Sequence, residues 1–201
     1  MPNPPLHLDV SNPFCAARLR PGTIDFVFEP GKSLQQLLDS LEANAWYGQI
    51  TGRHGTGKST LLAALTPAIE ARGRRVKSIT LIAGQRDLPR MFMRSLWRSP
   101  GLRVAAVDGI EQLGLWNRLL LKRSCRARGV GLVVASHRSA QLPSLYETAV
   151  DETRAWRVVE QLQDGFPPRI EVGDLTARLA RHQGNLREAL FDLYDLYEVR
   201  K

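Results

Sequence analysis

A chain of 201 residues, 43% hydrophobic and 24% charged, suits one globular domain with room for a small appendage. No apolar run approaches the roughly 20 residues that span a bilayer, since the longest, Val130 to Ala135, is strand-sized. The formal net charge of +8 favours association with nucleic acid or another polyanion, but bears on binding and solubility rather than on mechanism.

Residues 1–31 are proline-rich with little periodicity and read as an extended lead-in. Met1 to Pro5 lack the basic start and apolar stretch of a secretory leader, so a cytoplasmic protein is expected. Cys15 and Cys125 have no metal-ligand spacing and read as free thiols. Ser33 and Gln36 form a capping box for a helix whose Leu34, Leu37, Leu38 and Leu41 make an apolar stripe. From Trp46 the pattern changes to strand, glycine-rich turn and helix. That helix runs from about Gly57 to Arg72, with Leu61, Leu62 and Leu65 inward and Gly73 closing it.

Val76 to Ile82, Val104 to Val107 and Val130 to Ala135 are short apolar segments separated by helical stretches, the alternation of a buried parallel sheet. Leu145 to Val150 supplies a fifth, edge strand. Arg90, Arg94 and Arg98 recur every fourth residue, and Lys122, Arg123, Arg126 and Arg128 crowd another helix end; each group reads as a basic binding surface or as a solvated helix face. A helix over Glu152 to Leu162 leads to the turn Phe166-Pro167-Pro168 and a last helical pair, Leu175 to His182 and Leu186 to Arg200. Leu186, Leu190, Leu193 and Tyr197 give the last helix one apolar side. The expected fold is α/β: a three-layer sandwich with a mainly parallel five-stranded sheet over residues 32–165, the extended segment 1–31 before it and a short helical lid over 166–201 after it.

Gly52-Arg53-His54-Gly55-Thr56-Gly57-Lys58-Ser59 fits the phosphate-loop pattern G-x-x-x-x-G-K-[ST] and lies where that pattern requires, after a strand and at a helix start. Its glycines let the loop curl so that backbone N–H groups point inward, with the helix N-terminus adding partial positive charge behind them. Lys58 is placed to reach the β- and γ-phosphates, Ser59 to ligate Mg²⁺, and Thr60 to border the α-phosphate. The competing reading is a glycine-rich turn that merely joins two elements.

Arg103 to Asp108 is an apolar strand ending in a carboxylate, the form of a segment whose aspartate holds the water shell of Mg²⁺. Gly109 stands where many ATPases carry a glutamate base, and the next acid is Glu111. Glu111 reads either as that base or as an acid complementing the dipole of the next helix. Ser136 ends another strand at the carboxyl edge of the sheet, with His137 and Arg138 beside it as secondary candidates.

On these residues the chain resembles the AAA+ and STAND branch of P-loop ATPases over most of residues 10–201. Asp108-Gly109-Ile110-Glu111 resembles the D-G-x-[DE] form of STAND and NACHT NTPases, which implies Glu111 as the water-activating acid, and Ser136 resembles a sensor-1 residue. Asn12-Pro13-Phe14, followed by Arg18, Pro21 and Phe26, is similar to the N-P-F opening of secretion- and transposition-associated AAA ATPases, where it flanks the adenine. Gly184-Asn185-Leu186-Arg187-Glu188 resembles the sensor-2 box, which implies that Arg187 reaches from the lid to the γ-phosphate; Asn185 as a plain helix cap with Arg187 exposed is the alternative. The resemblance implies a module that binds ATP and Mg²⁺, hydrolyses slowly and switches affinity for a protein or nucleic-acid partner, with self-association left open. The alternatives are a small-molecule or nucleotide kinase and a non-enzymatic nucleic-acid-binding module. The sequence has neither N-K-x-D nor L-S-G-G-Q, so ATP is the expected nucleotide.

Overall fold

The computed structural model describes residues 11–98, 101 and 103–201; residues 1–10 of the expected lead-in lie outside the described residues. Helix α1 (Leu34–Ala43) opens on the expected capping box, in which Ser33 Oγ accepts from the Gln36 N–H and Gln36 Oε1 accepts from the Ser33 N–H. Five strands follow, β1 (Tyr47–Gly52), β2 (Arg75–Thr80), β3 (Arg103–Asp108), β4 (Gly131–Ser136) and β5 (Ser144–Thr148). They form one parallel sheet in the order β2-β3-β4-β1-β5. Helices α2 (Lys58–Ala71), α3 (Arg90–Arg98) and α4 (Leu115–Ala127) make the first three crossovers, while β4 reaches β5 past β1 through a loop. Because every strand runs the same way, Gly52, Thr80, Asp108, Ser136 and Thr148 end at one edge.

Alternation along the strands splits their side chains between two cores. Val104, Ala106, Val133 and Ala135 pack with Leu41 of α1 and with Leu61, Leu65 and Ile69 of α2. Ala105, Val107, Leu132 and Val134 pack with Leu96 of α3 and with Leu121 and Cys125 of α4. The sheet is therefore covered on both faces, which explains why β4 is buried at every residue. Burial pushes the Cys125 thiol up to about 12, and neither cysteine forms a disulfide. The strand expected through Ile82 ends at Thr80. The chain leaves the sheet after Leu81, whose N–H bonds to Asp108 O, so Ile82 stands 69% exposed in a loop.

A third core unites α5 (Glu152–Gln163), α6 (Val172–Arg181) and α7 (Leu186–Val199), and the apolar side of α7 closes it. Phe14 is fully buried there, its ring 5.8 Å from that of Tyr197. Asn12 Nδ2 donates to Tyr194 O at 3.1 Å and to Glu198 Oε1 at 2.6 Å. The start of the described chain is thus clasped to its last helix. Among the described residues no helix is long and apolar enough to cross a membrane.

Candidate functional site

A cleft of about 320 Å³ lies at the carboxyl edge of the sheet, between the phosphate-loop segment and the helical layer. His54 to Thr60 line one wall. Helix α2 begins there at Lys58, and its N-cap, Gly57, makes no side-chain hydrogen bond, whereas α1, α5 and α7 are capped by Ser33, Asp151 and Asn185. The unpaired N–H groups of the first turn of α2, with the helix dipole behind them, therefore face an open cleft suited to an anion. Lys58 is buried, and its Nζ donates to Arg53 O at 2.5 Å. Burial lowers the Lys58 pKa below its ordinary value, while Glu111 and Asp108 oppose that shift.

The loop leaves little space for side chains. Gly55 has φ +71°, and a Cβ built on it would lie 1.7 Å from Asn185 Oδ1 and 3.2 Å from Arg187 N. The N-terminus of α7 is thus seated directly on the phosphate-loop segment. Thr56 Oγ1 and Thr148 Oγ1 lie 2.6 Å apart, joining the loop to the end of β5.

The acidic wall is assembled differently. Asp108, Gly109 and Glu111 line the cleft, Asp108 at the end of β3 in register with Thr80 of β2, which lines it too. Gly109 has φ +78°, and a Cβ there would come 3.0 Å from Leu81 O. A glutamate in that slot would be strained. The chain instead makes a single 3₁₀ turn over Ile110–Gln112, with Ile110 buried as its anchor, and the next acid, Glu111, comes to the cleft. Glu111 Oε1 lies 3.3 Å from His137 Nε2, and His137 Nδ1 lies 3.3 Å from Gly52 O. The second oxygen, Oε2, is buried without a hydrogen-bond partner. Burial, reinforced by Lys58, lowers the His137 pKa, with Glu111 opposing.

The sequence candidates divide accordingly. His54, Gly55, Thr56, Gly57, Lys58, Ser59, Thr60, Asp108, Glu111 and Arg187 meet around one cleft. Gly52 and Arg53 support it through their carbonyls, to His137 and Lys58. Ser136 does not line it: the side chain is 2% exposed and accepts from the Arg138 N–H at 3.3 Å, while Ala135 and His137 on either side face the cleft. Asn12 and Phe14 also lie away from it, fixing the segment to α7. Leu19, Pro21, Ile24 and Phe26 form an apolar end of the cleft, and the Phe26 ring comes within 3.1 Å of where a Gly57 Cβ would stand. Thr80 is a cleft residue beyond the sequence candidates, although it carries the same signal as Asp108, a polar residue closing a β-strand. The pairing of the His54 and His137 rings, with centroids 3.4 Å apart, left no trace in spacing.

Outside the cleft, Arg90, Arg94 and Arg98 stand exposed on α3. The second basic group is partly engaged within the chain, with Lys122 Nζ on Ala140 O, Arg126 over Tyr47 and Arg128 over Trp97.

No family model matches the sequence, and no curated protein matches it. The structure is similar to that of RuvB from Thermotoga maritima, with a TM-score of 0.62 at 17% identity over 88% of this chain and 64% of that one. It is also similar to AMPPCP-bound DnaA from Aquifex aeolicus, with a TM-score of 0.53 at 20% identity over 82% of this chain and 61% of that one. Against Hsp104 in its closed state the TM-score is 0.61 at 16% identity, covering 92% of this chain and 39% of that one. The chain has the fold of the AAA+ P-loop ATPases. It spans less than two thirds of the length of each of these three chains. At these identities the likeness establishes the fold, and the reading of the cleft rests on its own residues.

Proposed function

We propose that this chain is an ATP-binding module of AAA+ type that hydrolyses ATP slowly with Mg²⁺ and works as a nucleotide switch for a partner. The observation that carries the reading is the uncapped start of α2, which faces a cleft ringed by Lys58, Asp108, Glu111 and Arg187. Base and sugar fit the apolar end at Leu19, Ile24 and Phe26, and the phosphates fit the loop amides and Lys58.

Ser59 and Asp108 supply oxygen ligands of the kind Mg²⁺ prefers, and Glu111 Oε2, buried and unpartnered, is an acceptor still in need of a donor. When bound, the ion neutralises charge on the phosphates. Lys58 stabilises charge on the transferring phosphoryl group, Glu111 orients the attacking water, and Arg187 answers the γ-phosphate from the lid. Since Asn185 and Arg187 N crowd Gly55, a change at the loop is felt at once by α7; the moving unit we propose is α5–α7, which share one core. The exposed arginines of α3 offer a basic surface to that partner, protein or nucleic acid.

Phosphate release from Mg-ATP and Mg-GTP, with and without DNA or RNA, tests this. We expect slow release from ATP and, in Glu111→Gln, a fall in kcat of roughly 10²-fold with nucleotide affinity retained. Equal turnover in that variant removes Glu111 from its role. Product formed only with an added acceptor would replace hydrolysis by a kinase reaction.

A further inference from the structure

We infer that His137 is the positioning residue for Glu111, fixing the carboxylate to the base of the phosphate loop so that Oε1 is held and Oε2 is left free. The inference rests on Glu111 being the water-orienting group. The His137 ring is held on three sides: Nδ1 lies 3.3 Å from Gly52 O, Nε2 lies 3.3 Å from Glu111 Oε1, and the His54 ring packs with its centroid 3.4 Å away. Two of these contacts come from the phosphate-loop segment and one from the acidic turn, so the ring bridges the two walls of the cleft. Glu111 sits on a single 3₁₀ turn, a short element with little stiffness of its own. That turn is tethered on its other side by Arg118 Nη2, which donates to Glu111 O at 2.9 Å and fixes the backbone but not the carboxylate. The side-chain contact on the carboxylate is His137, with the Lys58 charge acting on it from the loop.

Each ring nitrogen faces an acceptor, so a neutral ring can donate to one of them and an imidazolium to both. Either form that carries a proton on Nε2 turns it toward Glu111 Oε1, 3.3 Å away. The remaining oxygen, Oε2, is buried and has no partner among the described residues, so it is the acceptor left for a water that enters with the nucleotide. A glutamine at position 137 keeps a donor of comparable reach, whereas alanine removes it.

The test is a double-mutant cycle in steady-state ATP hydrolysis. His137→Ala is expected to lower kcat about 10-fold, with the affinity for Mg-ATP changed less than about threefold. His137→Gln is expected to recover most of that loss, and His137→Ala added to Glu111→Gln to lower kcat no further. If Glu111→Gln lowers turnover but His137→Ala does not, or if the two losses multiply, the positioning role is wrong and Glu111 keeps its own. If Glu111→Gln has no effect, the reading beneath it fails instead. Nitrogen NMR of the His137 ring gives an answer independent of turnover: Glu111→Gln is expected to shift the Nε2 resonance, and an unshifted resonance overturns the bridge.

Discussion

Lys58 and Glu111 face the same cleft, yet Lys58 is placed by one unbroken stretch, Gly52 to Ser59, while Glu111 is placed by parts of the chain that meet only on folding. On the loop side, backbone conformation and the start of α2 do the work, and Lys58 stays buried against a carbonyl of its own loop. On the acidic side, β3 delivers Asp108, a left-handed Gly109 turns the chain beside Leu81 O, a 3₁₀ turn presents Glu111, and His137 arrives from the end of β4. Local determinants make a site robust and readable. Assembled determinants make it adjustable, since each member can move with its own element.

Substitutions at the two turning glycines probe that contrast. Gly55→Ala is the larger: a β-carbon 1.7 Å from Asn185 Oδ1, on a backbone at φ +71°, must push the N-cap of α7 away from the loop. We expect a loss of about 2–3 kcal/mol in denaturant unfolding, from the cap and the left-handed strain together. Wild-type stability in that variant would mean that the start of α7 and the loop are not coupled at this point. Gly109→Ala has its tightest contact with Leu81 O at 3.0 Å, with φ +78°, so about 1–2 kcal/mol is expected. Its effect on hydrolysis should exceed its effect on ATP affinity, since it disturbs the turn carrying Glu111 and not the loop. Equal losses in both would dissolve the distinction between the two walls.

The same contrast explains what could be read in the sequence. All five strands, the edge strand β5 included, are legible in the sequence, most plainly β3 and β4, whose burial on both faces makes them continuous apolar runs. The capping box at Ser33 and the glycine-rich turn with its following helix were legible because they are contiguous patterns with fixed offsets. Ser136 ends its strand at the carboxyl edge as expected, but pleating decides orientation, and at the end of β4 it is Ala135 and His137 that line the cleft. That α5 shares the core of α6 and α7 was hidden for a related reason: Ala155, Val158, Val159 and Leu162 give an apolar stripe without saying which neighbour it meets. The fixing of Asn12 and Phe14 on α7 joins residues from opposite ends of the described chain, a closure that no local pattern encodes.

The central claim, that the amides at the start of α2 and the Lys58 ammonium form a polyphosphate site, is tested most directly by calorimetric titration of Mg-ATP into wild type and Lys58→Ala, with circular dichroism on both. We predict saturable binding by wild type and at least roughly 100-fold weaker binding by the variant, with the fold and melting temperature retained. Equal affinity in the two proteins, or a folded wild type that binds no nucleoside triphosphate, would contradict it.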